Sequence, residues 1–467
     1  MNNKLALVEE PKCTNVRDAV DTALLLDDLK RRYKGAGGPL NVTFRELASW
    51  VRAGDQFTHQ IHPYPAKLLP HIANFFIRAS SLCRPGQAVL DPFCGSGTVA
   101  LEASLAGACP IVADANPFAL LLTRVKTTPY AIEELVQGAS SLRRRISRLR
   151  TAPEVEIVNQ HLWYSSKTKK SLEIILRAIN AIEQEENRDF FKVCFSVVAR
   201  RLSYADPAVS VPVRIKQKSS FSALANAKVL QHLNWLENAS AIEEFDRAIQ
   251  LNIGRVHSAN LANPNRVRAT FAGKDARNLL DIEAGRLPGG SVRLSITSPP
   301  YGSAQKYVRA SSLALNWLSL CSPTDLAKLE SQSIGREHLR DKVCQSAHSN
   351  GQWGSTFLDA TVEKIYRNNP LRGAITETYL RELRGALVEI ARVTSAGGHA
   401  VIIIGNNTVT GLDVANDIFI SEAMQVLGFT LELSLFDRIH SRGLMTNRNK
   451  SASLIAREAV LLFRKRA

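Results

Sequence analysis

Residues 88–119 read AVLDPFCGSGTVALEASLAGACPIVADANPFA, and no other stretch of the 467-residue chain limits its fold as much. An apolar run at 88–90 stops at Asp91-Pro92 and enters a turn that holds Gly95 and Gly97. A helical segment follows, and a second short strand ends at Asp114. Two parallel strands need a helical crossover, so strand, glycine turn, helix and strand predict the βαβ start of a doubly wound α/β sheet. Gly95 and Gly97 let backbone approach a ligand closely, at a helix N-terminus with free N–H groups. The turn is not a phosphate-binding P-loop, because no Gly-Lys-Ser/Thr follows. It also lacks the third spaced glycine of a dinucleotide fingerprint. Asp114 stands 23 residues after Asp91. An acid at that strand end binds ribose hydroxyls in nucleotide-binding folds, with a cap on the next helix as the lesser reading. Acid, glycine turn and second acid together point to an adenosine ligand without a diphosphate, which is S-adenosyl-L-methionine.

A second stretch, SITSPPYG at 295–302, ends a short apolar strand on two prolines and an aromatic ring. Neither proline has an N–H for a sheet ladder, so the strand must stop there. Read alone, the stretch fits a plain turn with a half-buried tyrosine as well as a binding pocket.

The remaining chain sets the organisation. Residues 1–40 read as a peripheral N-terminal arm, and 41–130 as the cofactor half of the α/β domain, helical over 41–80 around an extended centre at His62-Pro63-Tyr64-Pro65. Residues 131–252 carry apolar residues at helical spacing and few strand signals, which predicts a mostly helical insertion. Residues 253–319 return to sheet-like sequence, first at Arg266-Val-Arg-Ala-Thr-Phe271, and contain Ser298–Tyr301. A second insertion or loop spans 320–375, and 376–467 supplies a helix, a Gly-Gly turn, a strand and a final strand pair.

The formal charge is +16, with basic residues crowded at Arg143-Arg144-Arg145, Arg148, Arg150, Lys167, Lys169, Lys170, Arg200-Arg201, Arg214, Lys216 and Lys218. Such an excess favours a polyanionic partner, most often nucleic acid. Target recognition is thus placed in the basic insertion at 131–252 or in 320–375, with a helical packing or oligomerisation unit as the competing reading of 131–252. Seven scattered cysteines without a CxxC pair argue against a disulfide framework and a zinc site, so no metal is expected. No apolar run approaches a membrane span, and residues 1–12 lack the apolar core of a signal peptide, which predicts a cytoplasmic protein.

Taken together, the motifs resemble the SPPY-type amino-methyltransferases of DNA. The matching stretches are HPYPAK at 62–67, DPFCGSGT at 91–98, ADANPFA at 113–119, GKDARNL at 273–279 and TSPPYG at 297–302. RVTSAGGHAVIIIGN and EAVLLFRK resemble the later strands of that family. The resemblance implies a Rossmann-like methyltransferase sheet with an antiparallel last strand and S-adenosyl-L-methionine as cofactor. It implies cofactor contacts from His62, Tyr64, Lys67, Asp91, Phe93, Gly95, Gly97, Thr98, Asp114, Asn116 and Asp275, with Asp114 on the ribose and Asp275 near the adenine amine. It implies a catalytic pocket of Ser298, Pro299, Pro300 and Tyr301, shaped further by Tyr307, Arg309 and Trp317, although Trp317 also reads as core. Acceptors at Ser298 Oγ and the Pro299 carbonyl would take the two N–H groups of an exocyclic amine, and Tyr301 would stack on the base.

The implied substrate is a base flipped out of double-stranded DNA. A serine before Pro-Pro-Tyr resembles the cytosine-N4 enzymes, whereas aspartate or asparagine there resembles the adenine-N6 enzymes. Cytosine-5 chemistry would need a nucleophilic cysteine in a Pro-Cys turn, and the chain has no Pro-Cys dipeptide. Adenine-N6 methylation, an RNA amino-methyltransferase and an inactive DNA-binding scaffold remain as alternatives. A separately acting restriction endonuclease is a further partner implied by the resemblance.

Overall fold

A computed structural model describes residues 20–51, 57–65, 67–280, 285–302, 306–339, 356–438 and 457–467. Most of the N-terminal arm's first half, part of the 320–375 segment and the basic stretch before the last strand lie outside the described residues.

The centre is an eight-stranded sheet in the order β1-β9-β10-β6-β5-β2-β3-β4. Its strands are β1 (Leu40–Val42), β2 (Ala88–Asp91), β3 (Cys109–Val112), β4 (Thr270–Phe271), β5 (Val292–Thr297), β6 (Thr394–Ile404), β9 (Phe429–Arg438) and β10 (Arg457–Lys465). A separate two-stranded ribbon joins β7 (Asn407–Val409) to β8 (Leu412–Val414). β2 pairs in parallel with β3 and β5, β5 with β6, and β3 with β4. β10 runs antiparallel to both β6 and β9, as expected of the last strand. The chain therefore folds as a doubly wound α/β sheet with one reversed strand.

β6 shows why this sheet must be covered on both sides. Val401 and Ile403 face one layer with the helices Ala23–Ala36, Pro70–Ile77 and Thr98–Leu105. Ile402 and Ile404 face the other layer with Pro370–Val393 and Asn416–Val426. An uninterrupted apolar run is what a strand buried on both faces requires.

The predicted helical insertion is helical. It comprises Ile132–Arg148, Gln160–Trp163, Ser166–Asn180, Glu185–Arg201, Ala223–Asn238 and Ala241–Ala262, which carries it ten residues past the expected boundary at 252. It is not a separate globule. Its Leu135, Ile175, Phe190 and Phe195 share one apolar core with Phe118 and Leu122 of helix Pro117–Thr127 and with Leu315 and Trp317 of helix Tyr307–Trp317.

Three local expectations need correction. The segment read as a peripheral arm contains helix Ala23–Ala36, whose Leu26 and Leu29 are buried in the sheet's first layer. Residues 40–42 form a strand at the sheet edge, paired with β9, where the sequence suggested the start of a helical region. The 266–271 stretch is strand only at its last two residues, because Arg266 instead turns inward and donates to the carbonyls of Lys126, Thr127 and Thr128. Those carbonyls are the unpaired end of helix Pro117–Thr127, so a buried arginine caps it.

Candidate active site

The strand order brings the predicted site together. β5 lies beside β2, so the SPPY turn and the glycine turn leave the same carboxyl edge of the sheet, where open α/β folds bind ligands. A side-chain hydrogen bond joins the two strand ends directly: Thr297 Oγ1 donates to Asp91 Oδ1 at 2.6 Å. The same carboxylate accepts from the Phe93 N–H at 3.2 Å. Burial pushes Asp91 up to about 7.

Asp114 lies just past the end of β3 and reaches back to the glycine turn. Its Oδ2 accepts from Gly95 N and its Oδ1 from Asn116 N, each at 2.8 Å. Burial raises it to about 6. Each oxygen keeps a lone pair for a further donor, so the acid can hold the turn and still receive two ribose hydroxyls.

The two glycines serve different purposes. Gly95 has φ +45°, and a Cβ there would find Tyr64 Cε1 at 3.7 Å, so the turn stays bare beside Tyr64. Gly97 has φ +73°, and a Cβ would come within 2.6 Å of Thr123 Oγ1 and 3.0 Å of its Cα. Gly97 thus lets helix Pro117–Thr127 pack against the turn, a role beyond the ligand approach that the sequence suggests. Thr98 starts the next helix, buried, within 3.2 Å of Ser96 Oγ.

The HPYPAK residues line up along that helix and the turn. Tyr64 is buried, and its hydroxyl accepts from Asn116 Nδ2 at 3.2 Å. Asn116 also caps its own helix through Phe118 N and donates to Ser311 Oγ at 2.8 Å, so it bridges three elements of the site. His62 packs edge-on to Phe118, 4.9 Å between ring centroids, with neither ring nitrogen hydrogen-bonded. Burial, followed by the charge of Lys67, lowers it to about 3, so it is neutral. Lys67 donates to the carbonyls of His59 and His62 at 3.0 and 2.7 Å, which engages two of its three protons in holding the segment's own backbone. Asp275 faces Arg277 in a bidentate pair of 2.8 and 2.9 Å, and Arg277 continues to Glu382 at 3.0 Å.

Ser298 is half-buried and Pro299 is buried. Among the described residues nothing hydrogen-bonds to the Pro299 carbonyl, whereas the Pro300 carbonyl accepts from Tyr379 Oη at 2.8 Å. Tyr301 is only 9% exposed, so most of its ring sits in the sheet's second core layer and little of it is open to a base. Its hydroxyl lies 3.0 Å from Ser298 Oγ and donates to Glu458 Oε1 at 2.8 Å. Tyr307 is half-buried, Arg309 exposed, and Trp317 is core, bonded through Nε1 to Tyr164 Oη at 2.9 Å.

Residues that sequence reading passed over also build the site. His59 Nε2 and Glu102 Oε1 meet at 2.7 Å, and Asn74 Nδ2 reaches Glu102 Oε2 at 2.8 Å. This buried network fastens the HPYP segment to helix Thr98–Leu105. Its one sequence signal was an acid at the centre of an otherwise apolar helix. Glu458 and Tyr379 carried no local signal, since both come from strands and helices distant in the chain.

S-adenosyl-L-methionine fits these residues: a bare glycine turn, a two-oxygen acceptor for a ribose diol, and an acceptor edge on the adjacent strand. The chain is a methyltransferase by the similarities that follow, and S-adenosyl-L-methionine is its cofactor. Residues 60–159 match the UPF0020 family model, described as an RMKL-like methyltransferase domain. Over nearly its whole length the chain is similar to the Type II methyltransferase M.MvaI of Kocuria varians, at 22% identity over 465 residues, covering 94% of each. It is similar to the Type II methyltransferase M.AvaI of Nostoc sp. at 21% identity, covering 74% of each. A shorter stretch of 77 residues is 35% identical to the Type II methyltransferase M.MjaII of Methanocaldococcus jannaschii, covering 16% of this chain and 14% of that one.

Proposed function

We propose that this methyltransferase modifies double-stranded DNA, placing a methyl group on the exocyclic N4 amine of a cytosine flipped out of the helix. The observation that carries the reading is the Thr297–Asp91 bond, which fixes the Ser298 turn beside the cofactor strand. An aromatic amine is a poor nucleophile because its lone pair is delocalised into the ring. Ser298 Oγ and the Pro299 carbonyl are acceptors for its two N–H groups, which favours a pyramidal nitrogen with its lone pair directed at the methyl donor. The bound cofactor supplies an electrophilic sulfonium methyl. Gly95, Asp114 and Tyr64 hold and orient it, and the rigid Pro299-Pro300 pair keeps the acceptors in one geometry. Such positioning and preorganisation contribute several kcal/mol. Methylation of the amine nitrogen would leave an ammonium that loses its proton to solvent, so no general base on this chain is required.

A serine at 298 supports cytosine N4 over adenine N6. The similarity to Type II methyltransferases supports a DNA substrate, a cytoplasmic setting and a separately acting restriction endonuclease as partner. Among the described residues no helix is long and apolar enough to cross a membrane. The test is nucleoside mass spectrometry of DNA from cells expressing the protein, beside a Ser298→Ala, Tyr301→Ala control. N4-methylcytosine above the control is the expected result. N6-methyladenine would keep the chemistry and overturn the base, and neither mark would overturn the DNA reading.

A further inference from the structure

Glu458 stands at the start of β10, five strands after β5 and the turn it touches, and the cofactor and base contacts described above do not include it. Its Oε1 accepts from the Tyr301 hydroxyl at 2.8 Å, and the same phenol oxygen is 3.0 Å from Ser298 Oγ. The ionisable groups acting on it are Tyr301 of the SPPY turn, Tyr307 of helix Tyr307–Trp317 and Asp437 of β9, with Arg457 next to it in β10.

The direction of this chain of bonds follows from proton counting. Burial raises the Glu458 carboxyl above its ordinary value, while the hydrogen bond from Tyr301 favours its ionised form; in that form the carboxylate only accepts, so the single Tyr301 proton points to Glu458. The phenol then has no proton left for Ser298, and the Ser298 hydroxyl must donate to the phenol oxygen. Both Ser298 lone pairs are thereby left for the pocket, with no serine proton to offer it. A serine without this relay could rotate and donate as readily as accept.

We propose that Glu458 is a positioning residue that, through Tyr301, locks Ser298 as a hydrogen-bond acceptor, so that the pocket takes an exocyclic amine and rejects a ring carbonyl at the same place. The inference rests on the methyltransferase reading of the pocket and adds to it the reason an amine is selected. It also gives Tyr301 a task that its buried ring can perform. A base carrying an oxo group would set its oxygen against the serine lone pairs, and a buried acceptor facing an acceptor is strongly disfavoured.

Two measurements test this. The first needs no substrate. The Glu458 carboxyl is titrated by carbon-13 NMR, its signal assigned by loss in Glu458→Gln. Tyr301→Phe removes the phenol donor that favours the ionised form, so the Glu458 pKa rises. An unchanged titration would overturn the relay, and this holds even if the base assignment proves wrong. The second is single-turnover methyl transfer at saturating cofactor. Glu458→Gln and Tyr301→Phe each slow transfer about tenfold to a hundredfold, with cofactor affinity and Tm unchanged, and the double variant is no slower than the slower single one. In a Ser298→Asp background, where the acceptor needs no orienting, the loss on Glu458→Gln shrinks to within about threefold. Equal losses in both backgrounds, or single losses that multiply, would mark Glu458 as merely structural and sink the proposal.

Discussion

At the scale of single residues, the two strand-end acids make the most direct predictions. Both are raised by burial, Asp91 to about 7 and Asp114 to about 6, while the unfolded chain ionises them near 3.8. Between those values the folded state binds more protons, so stability rises as pH falls and is lost as pH climbs. His62 and His399 work the other way, since their folded pKa values of about 3 and about 4 mean that the unfolded state takes up their two protons below 6.5, offsetting the two acids. The net gain is therefore confined to pH above 6.5. Thermal melts of the ligand-free protein between about pH 8 and 6.5 should show Tm rising, and Asp91→Asn should flatten that slope. Ribose hydroxyls favour the ionised form of Asp114, so cofactor binding near pH 6 releases part of a proton. Calorimetry in buffers of differing ionisation enthalpy reads that release, and it should vanish in Asp114→Asn. Asp114→Ala should weaken the cofactor by about tenfold or more; unchanged affinity would remove the ribose contact. Tyr301→Ala should lower turnover about a hundredfold while cofactor affinity persists.

At the scale of elements, the glycine turn and the helix behind it are one unit. Gly97→Ala combines a left-handed φ with a clash against the Thr123 backbone, and should cost about 2–4 kcal/mol in denaturant unfolding. Gly95→Ala meets Tyr64 at 3.7 Å and the Phe93 carbonyl at 4.0 Å without a clash, so its left-handed φ should cost about 1 kcal/mol, with its effect appearing in cofactor affinity instead. A reversed ranking would mean that Gly97 is the ligand-facing position. Glu102→Ala leaves Asn74 and His59 without their shared acceptor and should destabilise by about 2–4 kcal/mol. Both motif strands and both motif turns were legible in the sequence, because an apolar run ended by Asp-Pro or Pro-Pro has few other readings. β1 was not legible. Three residues at a sheet edge become a strand only because β9 offers them a partner, and no local pattern records that.

At the scale of the whole molecule, the helical segment and the methyltransferase core share one apolar cluster through Phe118, Phe195 and Trp317. Calorimetry should show one cooperative transition for both, and a chain lacking 131–252 should not fold; two resolved transitions would separate them. The charge excess also changes meaning on folding. Arg143 pairs with Asp246 and Arg201 with Glu244, while Lys169 bonds both Glu154 and Glu173. Arg200 donates to the carbonyls of Asp206 and Val209. Part of the basic cluster is therefore internal wiring, and Arg144, Arg148, Lys167, Lys170 and Lys216 are the exposed remainder. DNA affinity should fall about a hundredfold or more between roughly 50 and 200 mM salt, and Lys170→Ala or Arg148→Ala should flatten that slope, whereas Arg200→Ala should act on stability. By itself the sequence determined the class of sheet, the glycine turn and its acids, the Ser298 turn and the helical character of the long segment. Each depends on residues adjacent in the chain, whose stereochemistry admits little else. Only the tertiary structure decided that Glu458 stands behind Tyr301, that Arg266 caps a distant helix and that Gly97 makes room for Thr123. Those contacts join residues far apart along the chain, and their physical cause is the strand order, which brings together groups that no local pattern relates.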